Sequence, residues 1–385
     1  MIADRMTSIS PFYVMKLLAR ARELESGGRS IIHMEVGEPD FETPRPIIEA
    51  GKRALDSGFT HYTPAVGIRE LREAIAQDYH NRFGVRLEPD RVLITPGSSG
   101  ALQLIMSTVV NPGQAVMMAD PGYPCNRNFV KLVGGIPATI PVGPDTGYQL
   151  TAEIIAREWR ENTRAVMVAT PSNPTGTVIT RDQLDAIHQV VKERGGVLIV
   201  DEIYQGLIYG VKPFTALELA DDLFIINSFS KYYGMTGWRL GWMVAPERFI
   251  SAADKLAQNI FLAASTPAQY AALAAFDDET QQVVEARREA FCERRDYLLP
   301  ALSDLGFEIP AVPEGAFYLY ANCRSITSDS FTFAHELLET EGVAITPGRD
   351  FGDNHPDQHV RFAYTTAMPK LVEGVARIAR FIGRS

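Results

Sequence analysis

With 385 residues, 46% of them hydrophobic and 22% charged, the chain can bury a sizeable core and suits two or three domains, or one large domain with a smaller companion. A formal net charge of −10 argues against the cationic surface that non-specific nucleic-acid binding requires. Cys125, Cys292 and Cys323 are too sparse for a disulfide framework or a zinc knuckle and suit a reducing cytosol, while MIADRMTSIS at the start lacks the apolar stretch of a signal peptide and no apolar run approaches a membrane span, so a cytoplasmic location is expected.

In chain order, Ser10 and Pro11 read as a helix N-cap and first helical position, and Gly27-Gly28 as the stop. Between them Val14, Leu17, Leu18, Ala21 and Leu24 recur at helical spacing, which predicts an arm packed on the main body or on a partner. IIHMEVGEPDFETP then runs from a short strand into a Pro-rich loop. VLIT at 92–95 predicts a strand followed by a helix, AVMMA at 115–119 a strand with a helical run near 125–133, and AVMVAT at 165–170 a strand with a helix capped by Thr180. Further strands are read at VLIVD (197–201), LFIIN (223–227) and LGWMVA (240–245).

Such short, continuous apolar strands are expected when helices cover both faces of a mostly parallel sheet. Helical patterns dominate from about 246 to 302; PEGAFYLYA, a helix at 330–341, VAITP, HVRFAY and a final helix then form a second unit. The predicted fold is α/β: a large domain with a mostly parallel central sheet covered by helices, plus a smaller α+β domain. Residues 1–45 are assigned to the N-terminal arm and part of the small domain, 46–285 to the large domain and 286–385 to the small one. His355 and His359 lie in the Pro-containing stretch GDNHPDQH and read as loop residues, not as a metal-binding pair on a helix.

The chemistry gathers at strand ends. GSSGAL, residues 97–102, follows a strand and opens a helix; it is either a plain tight turn or a phosphate cup made of free N–H groups and small residues. Tyr123 in DPGYP, Asn173 in PSNPTG and Asp201 at the end of VLIVD each have a bland reading, as a half-buried turn aromatic, a turn residue and a cap. Lys231 and Arg239 in SFSKYYGMTGWRLGW follow one strand and precede the next. Together the set suits one ligand. A phosphate would need the cup and Arg239, a flat ring would stack on Tyr123, and a protonated ring nitrogen would pair with Asp201. A ring hydroxyl would meet Asn173 and Tyr204, and an aldehyde would be bonded by Lys231. Pyridoxal 5′-phosphate has all of these parts.

At this point the sequence resembles the class I/II aminotransferases of the aspartate aminotransferase superfamily, the fold-type I pyridoxal-phosphate enzymes. The likeness covers nearly the whole chain, from VGEPDF and HYTPAVG through TPGSSGAL, DPGYP, PSNPTG, VDEIY and SFSKYYGMTGWRLG to PEGAFYLY, TPGRDFG and HVRFAY. It implies roles residue by residue. Lys231 matches the Schiff-base lysine and catalytic base, Asp201 the partner of the ring nitrogen, Asn173 and Tyr204 the groups on the ring hydroxyl, and Tyr123 the stacking aromatic. Ser98, Ser99, Ser228 and Arg239 match phosphate ligands. Tyr62 matches a tyrosine that reaches the phosphate of the neighbouring subunit, which implies a homodimer with shared sites. Arg361 matches the clamp on the substrate α-carboxylate, a contact that a guanidinium fork makes well, and Gly37 a backbone contact to the same group.

The activity implied is amino transfer between an L-amino acid and a 2-oxo acid (2-oxoglutarate or pyruvate) by a ping-pong route through Lys231. A carbon–sulfur lyase of the same fold is the alternative. A non-enzymatic binding module fits less well, because no DNA-binding extension precedes the domain and every catalytic position is filled. One aspartate-using branch carries a lysine in the Gly-rich cup, where this chain has Ser99; another uses an arginine from the partner subunit, so the resemblance leaves an aspartate preference open. Alanine, aromatic and other neutral amino acids stay open as substrates.

Overall fold

The computed structural model describes residues 2–9 and 11–383. Strand β1 (Ile32–Met34) belongs to a small sheet. The next seven strands, β2 (Val92–Thr95), β3 (Ala115–Asp120), β4 (Ile136–Pro141), β5 (Thr163–Ala169), β6 (Val197–Asp201), β7 (Phe224–Ser228) and β8 (Gly241–Val244), make one sheet in the order β2-β8-β7-β6-β5-β3-β4. Pairing is parallel from β4 through β3, β5 and β6 to β7; β8 runs antiparallel to both of its neighbours, β7 and β2. The carboxyl ends of β2, β3, β5, β6 and β7 therefore share one edge of the sheet, where α/β proteins bind ligands.

The continuous apolar runs follow from burial on both faces. In β6, Leu198 and Val200 enter one apolar cluster while Val197 and Ile199 enter the other, and β2 divides Val92 and Ile94 from Leu93 in the same way. Strand β4 escaped the sequence reading because IPATIP carries two prolines and no apolar run. Among the described residues it pairs only with β3, and an edge is where a strand tolerates residues that cannot donate to a ladder. The helix Arg69–Phe83 escaped it too: its buried face includes Arg72 beside Leu71, Ile75 and Tyr79.

The small sheet adds β9 (Tyr318–Asn322), β10 (Val343–Pro347) and β11 (His359–Ala363) in the order β1-β10-β11-β9. Its β1–β10 pair is parallel and joins residues from opposite ends of the chain. Residues of both sheets meet in one core, Val200 and Val244 of the large one with Leu319, Ile345 and Val360 of the small one. The boundary expected between residues 285 and 286 falls inside a 27-residue helix, Asp278–Asp304.

The start of the first helix needs correction. It runs Tyr13–Ser26 with Phe12 as its cap residue, so Pro11 lies before the helix, and Ser10 lies outside the described residues. The cap comes from far away in sequence: the Asp350 carboxylate accepts from the N–H of Tyr13 (2.9 Å) and of Val14 (3.1 Å). The end at Gly27-Gly28 is as read, with Gly28 at φ +87°. Thr180 caps the helix Arg181–Glu193 in a reciprocal box with Gln183.

Candidate active site

A cavity of about 360 Å³ lies over the carboxyl edge of the large sheet, and β9 and β11 of the small sheet also line it. It brings together Gly37, Ser98, Ser99, Tyr123, Asn173, Asp201, Tyr204, Lys231, Arg239 and Arg361. Ser228 is buried and does not line it: its Oγ accepts from Ser230 N–H (3.0 Å) and donates to the Leu240 carbonyl (3.3 Å), tying together the ends of the loop between β7 and β8. Tyr62 is 83% exposed and forms no part of its own chain's cavity.

Lys231 sits in that loop, and its Nζ donates to the Gly37 carbonyl at 2.7 Å. Burial pushes its pKa down to about 8; nearby Glu38 opposes the shift and Arg361 and Arg239 add to it. Near physiological pH the neutral amine is therefore still the minor form, but far more abundant than for an ordinary lysine.

Asp201 ends β6. Its carboxylate accepts from Ile203 N–H (3.1 Å), as a cap would, and it also faces the cavity. Burial raises its pKa to about 6, which the Ile203 contact and Lys231 only partly offset. A cation beside Asp201 in the cavity would reverse that shift.

Arg361 lies in the middle of β11, between Thr346 of β10 and Tyr320 of β9. The strand position, 3% exposure and paired flanks rule out a surface arginine. Its Nη1 donates to Asn173 Oδ1 (2.9 Å) and its Nη2 to the Glu35 carbonyl, and the guanidinium lies 4.2 Å from the Tyr318 ring centre and 4.8 Å from that of Phe351. Among the described residues its Nε has no partner, which leaves donor capacity for an anion.

The cup stands at the start of the helix Gly97–Val109, which has no side-chain cap. Gly97 adopts φ +67°, and a Cβ there would come within 2.7 Å of the Arg239 guanidinium; a Cβ on Gly241 would come within 2.8 Å of Ser98 N. Glycine thus lets Arg239 and free N–H groups converge, as an anion site requires.

Sequence reasoning missed Tyr318, whose hydroxyl bonds that of Tyr204 at 2.8 Å. A Cβ on Gly37 would fall 1.8 Å from the same hydroxyl, so glycine is needed there for packing as well. The signal was the PEGAFYLY run, read as a motif without a role for each tyrosine. Phe12, Val14 and Met15 also line the cavity, and Phe12 meets Tyr123 edge to face at 6.1 Å. The Asp350 cap helps to hold them there.

A partly buried lysine, a buried carboxylate, a glycine-bearing helix start with an arginine beside it, and a second, buried arginine thus share one cavity. The family profile for aminotransferase class I and II matches residues 29–378, and the chain belongs to this family of fold-type I pyridoxal-phosphate enzymes and is an aminotransferase. It is 38% identical over 387 residues to a (5-formylfuran-3-yl)methyl phosphate transaminase of Methanocaldococcus jannaschii, with 100% of each chain covered. It is 39% identical over 376 residues to a valine–pyruvate aminotransferase of Mycobacterium tuberculosis, with 97% of each covered. Among solved structures, an aminotransferase from Mycobacterium tuberculosis superposes with a TM-score of 0.96 at 38% identity and 100% coverage of both chains.

Proposed function

We propose that this aminotransferase binds pyridoxal 5′-phosphate and moves an amino group between an L-amino acid and a 2-oxo acid, 2-oxoglutarate or pyruvate, in two half-reactions at one site. The observation that carries this reading is the desolvated Lys231 amine in one cavity with Asp201 and Arg361. The residues present fit the cofactor. Ser98, Ser99 and Arg239 would hold its phosphate, with Ser228 shaping the loop behind; Tyr123 would cover the ring, Asn173 and Tyr204 would bond its hydroxyl, and Asp201 would face its nitrogen. When bound, the cofactor supplies a sink for the electron pair left at the substrate Cα.

The chain's own groups do the rest. Arg361 holds the α-carboxylate, beside the Gly37 backbone, and so fixes where the Cα–H points. Lys231 takes that proton as a neutral amine and returns it at a neighbouring atom, because its depressed pKa lets it cycle between both forms. Asp201 stays anionic against a cationic ring nitrogen. The same clamp serves the amino acid and the oxo acid, which suits a ping-pong order.

One amino acid offered without acceptor should yield one equivalent of 2-oxo acid and the cofactor in its amine form. Ammonia in place of that cofactor form would favour the carbon–sulfur lyase. Arg361→Ala should raise KM for every amino acid and oxo acid alike, at a cost of roughly 2–5 kcal/mol in kcat/KM, since all carry the same α-carboxylate. A defect limited to dicarboxylic substrates would assign Arg361 to the side-chain pocket.

We also propose a cytosolic homodimer, with residues 46–285 as the large domain, 286–385 as the smaller one, and 1–45 as an arm and part of the smaller one. Among the described residues no helix is long and apolar enough to cross a membrane. The exposure of Tyr62 supports a place in the partner's site. In a hybrid of one Tyr62→Phe chain and one Lys231→Ala chain, a tyrosine acting across the interface leaves one site with both groups intact. That hybrid should show wild-type cofactor affinity at its working site; weakened affinity would return Tyr62 to its own chain.

A further inference from the structure

Tyr318 touches groups to which the proposed chemistry gives separate tasks. It opens β9, two residues before Tyr320, the cross-strand partner of Arg361, so its side chain and that of Arg361 share one face of the small sheet. There the Arg361 guanidinium lies 4.2 Å from the centre of the Tyr318 ring. The hydroxyl at the far end of that ring lies 2.8 Å from the hydroxyl of Tyr204, which follows β6 of the large sheet. It also rests on Gly37, whose carbonyl accepts from Lys231. Tyr318 is 1% exposed, and Tyr204 and Arg361 are buried as well, so these contacts are made within one chain.

Burial raises the pKa of both phenols, so each carries a proton at neutral pH. Only one of the two protons can lie between the two oxygens. The cation against the Tyr318 ring draws on its electrons and makes the Tyr318 hydroxyl the better donor. With Tyr318 donating to the Tyr204 oxygen, the Tyr204 proton is free for the cavity that both residues line. A hydroxyl that accepts one hydrogen bond also donates the next more strongly. The reverse arrangement would leave Tyr204 able only to accept there.

We propose that Tyr318 is a positioning residue with two working ends: its ring supports Arg361 for the substrate α-carboxylate, and its hydroxyl donates to Tyr204, so that Tyr204 donates to the oxygen on the cofactor ring. The proposal rests on the aminotransfer reading of the same site.

The test compares full-length wild-type, Tyr318→Phe and Tyr318→Leu enzymes, with melting temperature as the check of folding. Equilibrium binding of pyridoxamine 5′-phosphate, which forms no bond to Lys231, is measured beside that of its analogue without the ring hydroxyl. Tyr318→Phe should weaken the first about 3-fold to 10-fold and the second less than about twofold, because only the first has an oxygen for Tyr204 to meet. In holoenzyme Tyr318→Phe keeps the ring, and KM for amino acids and oxo acids should stay within about twofold of wild type. Tyr318→Leu should raise KM about 10-fold for all of them. Equal weakening of both ligands by Tyr318→Phe, or of neither, would overturn the part given to the hydroxyl. A KM that Tyr318→Phe raises about 10-fold, or that Tyr318→Leu leaves unchanged, would overturn the part given to the ring. Ammonia release with no amine-form cofactor in the wild type would overturn the aminotransfer reading instead, and the binding comparison, which involves no turnover, would still decide the hydroxyl's part.

Discussion

Lys231→Ala should still bind cofactor, through the cup and Asp201, but hold it without a covalent bond and lose essentially all turnover. Borohydride followed by mass measurement reads this directly: reduction should fix the cofactor to the wild-type chain and not to the variant. Two functions are lost together, the amine that anchors the cofactor and the base at the Cα–H, and base removal alone is worth about 100-fold to 10,000-fold. The same residue sets a pH dependence. Burial lowers its pKa from the ordinary 10.5 to about 8, so protonation, which blocks attack by the amine, grows as pH falls below 8. Covalent capture of added cofactor by enzyme freed of it should then slow about tenfold per pH unit below that point and level off above it. A midpoint near the ordinary lysine value would mean that the amine is not desolvated, and normal turnover in Lys231→Ala would remove it from the mechanism.

Asp201→Asn should keep cofactor and fold but lose roughly 100-fold or more in rate. The amide oxygen can still accept from Ile203 N–H, the bond the carboxylate makes now, so the melting temperature should move little. What the amide lacks is the negative charge that holds a ring nitrogen protonated. A variant with an unchanged rate would leave Asp201 as a strand-end cap alone, while a large loss of stability with proportionate loss of activity would point to the same structural role.

Much of the site was legible because it is built from local features. A parallel sheet delivers every strand's carboxyl end to one edge, so residues just after β2, β3, β5, β6 and β7 must converge whatever the details of packing. Reading Ser98, Tyr123, Asn173, Asp201 and Lys231 as one constellation needed only the strand ends. The bland reading of Asp201 is met, since it caps Ile203, and the residue lines the cavity as well. Ser228 was read as a phosphate ligand; it does not line the cavity, and its hydroxyl bonds Ser230 and Leu240, contacts that no spacing reveals.

By itself, then, the sequence determined the layered α/β architecture, through apolar runs buried on both faces, and the order of chemical groups along one sheet edge. The tertiary structure alone decided what crosses from one end of the chain to the other. The parallel pairing of β1 with β10, the Asp350 cap that sets Phe12, Val14 and Met15 on the cavity, the approach of Tyr318 to Gly37, and the burial of Arg361 between Tyr318 and Phe351 all join residues remote in sequence. Local propensity carries no record of such contacts, because each exists only once segments remote in sequence have packed together. Periodicity tells which face of an element is buried, and packing alone tells against what.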